Sequence, residues 1–170
     1  MKVTIRRLSP DDSGAYRRIR LEALGKAPDA YGSSYSVEAA LPLAAFRERL
    51  ANTVVLAACR GDEIVGMAGL TRGAGMKERH KARLWGMYVR EDSRRLGIGK
   101  ALVSALIDEA PQGIEQISLA VVEENRSAIS LYEALGFRAY GVERHALKVR
   151  DRYFDEALMV RFLAPSPLGS

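Results

Sequence analysis

The chain contains 170 residues, of which 48% are hydrophobic and 28% charged, proportions typical of one globular domain with a single core. The net charge of +5 suits anionic ligands, but no run of Lys or Arg exceeds two residues, so we expect no nucleic-acid-binding arm. Cys59 is the only cysteine, which excludes an internal disulfide, and no stretch resembles a signal peptide or reaches the ~20 apolar residues of a membrane helix, so we expect a cytoplasmic protein.

The first half of the chain predicts strands and helices in alternation. The expected elements are a strand Val3–Arg7, a helix from Ser9, a loop Gly25–Ser36, a helix across Leu43–Leu50, and strands Val54–Arg60 and Ile64–Thr71. Ser9 followed by Pro10 and two aspartates is a typical helix start. The turn Arg60-Gly61-Asp62-Glu63 between two apolar runs is typical of a hairpin, and the polar segment Gly73–Lys81 predicts a mobile loop.

The second half adds one helical crossover between two strands. The expected elements are a strand Leu84–Val89, a helix Lys100–Ala110, a strand Ile117–Val122, a helix Ser127–Leu135, extended segments Phe137–Tyr140 and Ala146–Val149, and a last strand Tyr153–Phe162. Gly136 predicts a left-handed cap after the second of these helices. One βαβ unit among hairpins indicates a mixed α+β fold, and we expect residues 164–170 to be a flexible tail outside it.

The segment Arg94–Ala101, between a strand and a helix, carries the strongest functional signal. Gly97 and Gly99 permit a tight turn and let a ligand approach the backbone closely. A helix that starts there directs unpaired N–H groups and its positive dipole end at the turn, which favours a phosphate ester. The cations expected around this turn are Arg90, Arg94, Arg95 and Lys100.

Three patterns for a phosphate-binding loop compete at this segment. A P-loop requires G-x-x-x-x-G-K-[ST], but Ala101 follows Lys100 and Arg94 stands where the first glycine is needed. A dinucleotide fingerprint requires Gly or Ala where this chain has Leu102. The pattern [QR]-x-x-G-x-[GA] fits at every fixed position, although six residues alone are also compatible with an ordinary strand-to-helix turn.

Two motifs together resemble the GNAT (GCN5-related) N-acetyltransferase family. Arg94–Gly99 resembles the pyrophosphate loop of that family, and the preceding run Leu84–Val89 resembles its central strand. Asn125–Phe137 resembles the family signature N-x-x-A-x-x-L-Y-x-x-x-G-F and matches all of its fixed positions. The resemblance covers residues 3–163, which we expect to be one N-acetyltransferase domain.

The resemblance implies a mixed, mostly antiparallel sheet of six or seven strands with helices on both faces. Acetyl-CoA would lie where Leu84–Val89 and Ile117–Val122 splay apart, with its pyrophosphate on the loop amides, its pantetheine along the first strand, and the Val89 N–H aimed at the thioester oxygen. The residues implied to contact acetyl-CoA are Met87, Tyr88, Val89, Arg94, Arg95, Leu96, Gly97, Ile98, Gly99, Lys100, Ala101, Asn125, Ala128 and Tyr132. We expect no metal.

The resemblance also implies catalytic roles. Tyr132 falls where the family carries its general acid, and a phenol with a pKa near ~10 can protonate a leaving thiolate, although a purely structural aromatic is the alternative. For Asn125, a helix cap is the alternative to a cofactor contact. Several family members place a glutamate on the central strand, where this chain has Arg83, so the general base is open and Glu22 is our candidate. The alternatives are Glu123, Glu124, His80 and a water relay.

The implied function is transfer of the acetyl group of acetyl-CoA to a primary amine of a small molecule or protein, by direct attack in a ternary complex. The acceptor is expected to be surrounded by Arg20–Tyr35, Gly73–Lys81 and Val149–Tyr153, with Tyr31, Tyr35 and Tyr153 as candidate walls. A non-catalytic acyl-CoA-binding module and a nucleic-acid-linked role are the competing hypotheses. A homodimer is plausible by analogy, with Tyr153–Phe162 as its candidate edge.

Overall fold

The computed structural model describes residues 2–163, which form one seven-stranded sheet flanked by helices. The strands are β1 (Val3–Arg7), β2 (Val54–Arg60), β3 (Glu63–Arg72), β4 (Lys81–Val89), β5 (Gln116–Val122), β6 (Arg138–Val149) and β7 (Arg152–Phe162). The α-helices are α1 (Ser13–Lys26), α2 (Tyr35–Ala39), α3 (Leu43–Asn52), α4 (Ile98–Asp108) and α5 (Arg126–Ala134). Short 3₁₀ turns occupy Pro10–Asp12, Pro28–Ala30, Met76–Glu78 and Glu91–Ser93.

The sheet has the strand order β1-β2-β3-β4-β5-β7-β6 and is antiparallel except at the β4–β5 pair. Helix α4 packs its Leu102 and Leu106 on one face of the sheet, while Tyr16 of α1 and Phe46 of α3 belong to a second cluster on the other face. Helix α4 is buried on that stripe because its apolar residues recur at helical spacing. The mixed α+β fold expected from the sequence is confirmed.

The two parallel strands at the centre of the sheet separate after a short contact. Pairing between β4 and β5 consists of Lys81 with Gln116, Ala82 with Ile117, and Arg83 with Ser118. Beyond Arg83, strand β4 pairs with β3 alone and carries a register shift, where Gly86 has a left-handed φ of +66°. This conformation strains any residue with a Cβ, so glycine permits the bulge that turns β4 away from β5.

The structure corrects several details predicted from the sequence. The prediction that the last strand, β7, is an exposed edge for a dimer is wrong. This strand lies between β5 and β6, and the free edges of the sheet are β1 and β6. The two extended segments 137–140 and 146–149 belong to one long strand, β6, and the expected loop 25–36 gives way at its end to α2. The expected tail, residues 164–170, lies outside the described residues.

Two smaller expectations concern compartment and chemistry. Cys59 is buried in β2 as a free thiol, in agreement with a core role. Within residues 2–163, no helix combines the length and the apolar character that crossing a bilayer requires.

Close packing between β3 and β4 yields a stability prediction. Gly69 faces the Trp85 ring, and an added Cβ would lie 2.5 Å from two of its atoms. Gly69→Ala is therefore expected to displace the indole and lower the free energy of unfolding by about 1–3 kcal/mol. Gly32→Ala is the matched control because an added Cβ meets nothing within 4 Å there; its stability should stay unchanged or rise by up to about 1 kcal/mol. Equal urea midpoints for Gly69→Ala and the wild type would contradict this packing.

Candidate active site

The glycine loop before α4 forms a concave set of main-chain amides. Arg95 and Gly97 both adopt left-handed conformations, with φ of 63° and 77°. The first helical hydrogen bond runs from the Ala101 N–H to the Gly97 carbonyl at 3.0 Å, so the amides of Ile98, Gly99 and Lys100 precede it. Alternating backbone conformations that direct successive N–H groups to one point make an anion-binding concavity, and the helix dipole adds to its positive potential.

Gly99 is also required by packing at this loop. An added Cβ would lie 2.9 Å from Cδ1 of Leu131 on α5 and 3.2 Å from Cε of Met87 on β4. The absence of a side chain therefore lets α4 start close to both elements.

Two of the four cations near the loop are engaged with the protein. Arg90 forms ion pairs with Glu22 and with Glu63. The Arg94 Nε donates a hydrogen bond to the Val89 carbonyl at 3.0 Å, which folds that side chain back onto the end of β4. Arg95 and Lys100 are exposed and form no ion pair with any residue from 2 to 163, so they are the cations that an anion at the loop would meet.

Main-chain groups of β4 line the opening between β4 and β5. The Arg90 N–H donates to the Val65 carbonyl of β3 at 2.9 Å. Because successive residues of a strand direct their main-chain groups to opposite sides, those of Val89 and Met87 face the opening. The Met87 carbonyl accepts a hydrogen bond from the Tyr31 hydroxyl at 3.0 Å. Tyr88 points its side chain to the α1 face, where its hydroxyl donates to Glu22 at 3.0 Å.

Tyr132 lies on α5, the helix that follows β5 in the chain. The residue is 5% exposed, its ring packs edge-on against Phe137 at 5.8 Å, and burial raises the pKa of its phenol to about 12. The hydroxyl has no hydrogen-bond partner among residues 2–163, yet it is not sealed from solvent. Burial also raises the pKa of Tyr31, against the charge of Arg20, and the nearby Tyr132 acts in the same direction as burial.

Asn125 caps α5. Its side-chain oxygen accepts hydrogen bonds from the Ala128 N–H and the Ser127 hydroxyl, both at 3.2 Å. The alternative considered for Asn125, a helix cap, is therefore present in the structure, and any contact of Asn125 or Ala128 with a cofactor stays a prediction.

Glu22 is held in place by several neighbours. Its carboxylate accepts from the Tyr88 hydroxyl, lies 3.0 Å from an Arg90 Nη2 and is 3.8 Å from the Lys26 ammonium. Among the alternatives, Glu124 forms an exposed ion pair with Arg152 at 2.7 Å. Of these acids, Glu22 is the one tied by hydrogen bonding to a residue of β4 next to the opening.

A cavity of about 630 Å³ lies beside the last paired rung of β4 and β5. Its lining comprises Arg20, Glu38, Arg49, Thr53, Thr71, Arg72, Gly73, Glu78, Lys81, Ala82, Arg83, Trp85 and Ser118. The expected walls Tyr31, Tyr35 and Tyr153 are not part of it; Tyr153 instead stacks on His145 with ring centroids 4.3 Å apart. Sequence reasoning missed Trp85, although its spacing of two from Arg83 in a strand is a signal that the two share a face.

A buried carboxylate joins three helices at this cavity. Glu38 of α2 is 3% exposed and accepts two hydrogen bonds of 3.0 Å from Arg20 of α1. Arg49 of α3 donates to the same carboxylate at 3.2 Å. Burial opposes the charge on Glu38, but the hydrogen bonds and charges of Arg20 and Arg49 outweigh it and lower its pKa.

No group of three His, Cys, Asp or Glu side chains within residues 2–163 has an arrangement that could hold a metal ion.

Comparison with known proteins identifies the class. A family model described as "Acetyltransferase (GNAT) family" matches residues 17–137. The chain belongs to this family, as the two motifs predicted.

Individual relatives and structures are more distant. The chain is 36% identical over 80 residues to a ribosomal protein bS18-alanine N-acetyltransferase of Escherichia coli, covering 46% of the chain and 54% of the relative. It is 33% identical over 81 residues to an L-methionine sulfoximine/L-methionine sulfone acetyltransferase of Pseudomonas paraeruginosa, covering 47% of each. The chain thus spans about half the length of these curated relatives. The solved yncA structure of Salmonella typhimurium, with its cofactor acetyl-CoA, has a TM-score of 0.84 at 24% identity and covers 97% of this chain and 96% of its own, which shows the shared fold.

The ion pairs of Glu38 with Arg20 and Arg49 predict that the stability of the protein falls in acid. The lowered pKa of Glu38 means that its contribution is complete above its ordinary pKa of 4.5 and is lost as the pH falls through the lowered value. At pH 7, Glu38→Gln is expected to lower the free energy of unfolding by about 3 kcal/mol, because the buried Arg20 and the half-buried Arg49 lose their charged partner. This deficit should shrink below pH 4.5.

Urea unfolding at several pH values checks this expectation. Glu48→Gln, an exposed carboxylate on the neighbouring face of α3, is the control and should differ little from the wild type. A Glu38→Gln deficit that does not change with pH would show that the ionised carboxylate is not the stabilising group.

Proposed function

We propose that the protein is an acetyl-CoA-dependent N-acetyltransferase that acetylates a primary amine of a small molecule or protein by direct attack in a ternary complex. The observation that carries this proposal is the opening between β4 and β5. The proposal is supported by the glycine loop that joins β4 to α4, by the main chain of Met87 and Val89 beyond the last β4–β5 pair, and by Tyr132 on the helix that follows β5. Family membership agrees with it.

The proposed binding of acetyl-CoA uses mainly backbone. The amides of residues 95–100 hold the pyrophosphate, since the Ala101 N–H already donates to the Gly97 carbonyl. The exposed Arg95 and Lys100 add attraction that solvent screens. The pantetheine pairs with the open edge of β4 at Met87 and Val89, as an added strand would. Because the Met87 carbonyl binds the Tyr31 hydroxyl in the present structure, that bond would have to open or be shared.

The proposed chemistry requires two proton transfers. The amine lone pair attacks the thioester carbon, a C–N bond forms, and the Val89 N–H stabilises the resulting oxyanion. Collapse of this intermediate breaks the C–S bond, and Tyr132 gives its proton to the leaving thiolate. A pKa of about 12 keeps the Tyr132 phenol protonated at neutral pH, as a general acid requires. The amine gives its proton to a base, for which we propose Glu22.

The acceptor is proposed only as a class. The relatives' names specify a ribosomal-protein alanine in one case and L-methionine sulfoximine or sulfone in the other. Both carry a primary amine.

The lone buried Cys59 agrees with a cytoplasmic location, which is part of this proposal.

Removal of the Tyr132 hydroxyl tests the proposed acetyltransferase activity and the role of Tyr132 as its general acid. Tyr132→Phe keeps the buried ring but deletes the acid, so kcat for thiol release from acetyl-CoA should fall by about 100-fold or more. The dissociation constant for coenzyme A should stay within about twofold of wild type. Tyr140→Phe, at a 61% exposed position on β6, serves as the control with unchanged kcat.

Two outcomes would contradict the proposed catalysis by Tyr132. Equal kcat values for Tyr132→Phe and wild type would remove Tyr132 as the acid. Coenzyme A binding without thiol release from any amine would favour the non-catalytic acyl-CoA-binding module.

A pair of substitutions tests the base. Glu22→Gln is expected to lower kcat at pH 7 by at least about tenfold, since an amide cannot accept the amine proton. Arg90→Gln breaks the same ion pair but leaves the carboxylate, so its effect should be smaller. Equal losses in the two variants would assign Glu22 a positioning role through Arg90.

A further inference from the structure

The cavity beside Trp85 has a surplus of positive charge. Two of its lining residues are acidic, Glu38 and Glu78. Five are basic: Arg20, Arg49, Arg72, Lys81 and Arg83. Both carboxylates already have protein partners. Glu38 binds Arg20 and Arg49, and Glu78 lies 3.6 Å from the Lys81 ammonium.

Two guanidinium groups at this cavity lack a carboxylate partner within residues 2–163. Arg72 donates to the main-chain carbonyl of Gln112 and forms no ion pair there. Arg83 is exposed and forms neither a hydrogen bond nor an ion pair with the described residues. Arg72 pairs with Ala82 across β3 and β4, so its side chain points to the α4 face of the sheet, away from that of Arg83. Arg83 is therefore the unneutralised arginine of the cavity. Its guanidinium is suited to a carboxylate or phosphonate, which it binds through two parallel hydrogen bonds.

Glu156 lies near enough to Arg83 to be affected by its charge, but it does not neutralise that charge. Burial raises the pKa of Glu156 on β7, the opposite carboxylate of Glu143 adds to this, and the charge of Arg83 opposes both. Glu156 forms no ion pair with Arg83. Arg83 therefore remains available to an external anion.

The aromatic surface of the cavity already faces a protein cation. The Arg20 guanidinium lies 5.8 Å from the ring centroid of Trp85, the aromatic residue of the lining. Because a protein cation already lies over this ring, Trp85 is less suited to a ligand ammonium. Charge and aromatic contacts both favour an anionic ligand group.

We propose that this cavity binds an acidic group of the acceptor through Arg83, so that the acceptor is a small amine that also carries a carboxylate. This inference rests on the acetyltransferase function proposed above and narrows its acceptor. Arg83 and Ser118 form the last paired rung of β4 and β5, and four strand residues from Arg83 to Met87 span about 13 Å. An extended arginine and a small amino acid bridge that distance together, which leaves the amine in the opening and the carboxylate in the cavity.

Matched acceptors test the inference. Thiol release is measured with L-leucine, L-leucinamide and 3-methylbutylamine, and with 5-aminopentanoate, its amide and pentylamine. The carboxylate compound of at least one series should have a kcat/KM about tenfold to a hundredfold above its amide. The comparison is stringent for leucine because the amide has the less basic amine and hence more of the reactive free base at neutral pH.

Substitutions locate the effect. Arg83→Gln should raise KM for the carboxylate acceptor by about tenfold or more while leaving that for the amide unchanged. Arg72→Gln, the same charge change on the opposite face of the sheet, should leave both KM values as in wild type. Arg7→Gln, an equal charge change on the outer strand β1, should leave the acid-to-amide ratio as in wild type. A merely structural role of Arg83 would alter KM for both acceptors together.

Binding distinguishes failure of the inference from failure of the function. Calorimetric titration of the same six compounds into the protein saturated with coenzyme A should show the same preference for carboxylates, lost in Arg83→Gln. That preference without thiol release would support the anion site and overturn the proposed transferase. Thiol release that is as fast with amides, alkylamines or carboxylate-blocked peptides as with carboxylates would support the transferase and overturn the anion site. Absence of both binding and turnover with the carboxylates would also overturn it.

Discussion

The separation of β4 from β5 is the constraint on which the site depends. Within one sheet, each strand normally satisfies its neighbours' main-chain groups, but here the pairing ends at Arg83 and Ser118. The bulge at Gly86 then directs β4 away, and the groups of Met87 and Val89 are left facing an opening. Buried main-chain groups need partners, so an opening of this kind favours a ligand with amides of its own. Helices on both faces hold the separated strands in position.

The two anion-binding sites proposed beside this opening rest on different physical interactions. At the glycine loop, positive potential comes from main-chain amides and the start of α4, which charge substitutions leave in place. At the cavity beside Trp85, it comes from guanidinium groups on several elements. Glu38 neutralises two of them and simultaneously joins α1, α2 and α3. One buried carboxylate therefore sets both the helix arrangement and the number of arginines left for a ligand.

The sequence predicted those parts of the site that depend on local spacing. Arg94–Gly99 and Asn125–Phe137 are contiguous motifs, so the loop before α4 and the place of Tyr132 on α5 could be read from them, as could the mixed fold. The cavity could not, because Arg20, Arg72, Arg83 and Trp85 come from α1, β3 and β4 and meet only through tertiary packing. The position of β7 was wrong for a similar reason: the last strand inserts between β5 and β6, a long-range choice that no local pattern encodes. Arg90 was likewise expected among the cations at the loop, but it forms ion pairs with Glu22 and Glu63, which come from other elements.

The outer strand β6 has a consequence for how copies of the chain meet in concentrated solution. Its pairing with β7 is interrupted by two register shifts, His145 takes a left-handed φ of 50°, and charged side chains such as Glu143 and Lys148 are exposed along it. Kinks and charges on a free sheet edge prevent another strand from docking in register. Continuous sheets across several molecules, the usual beginning of fibrils, are thereby disfavoured at this edge, and association between copies is directed to side-chain surfaces.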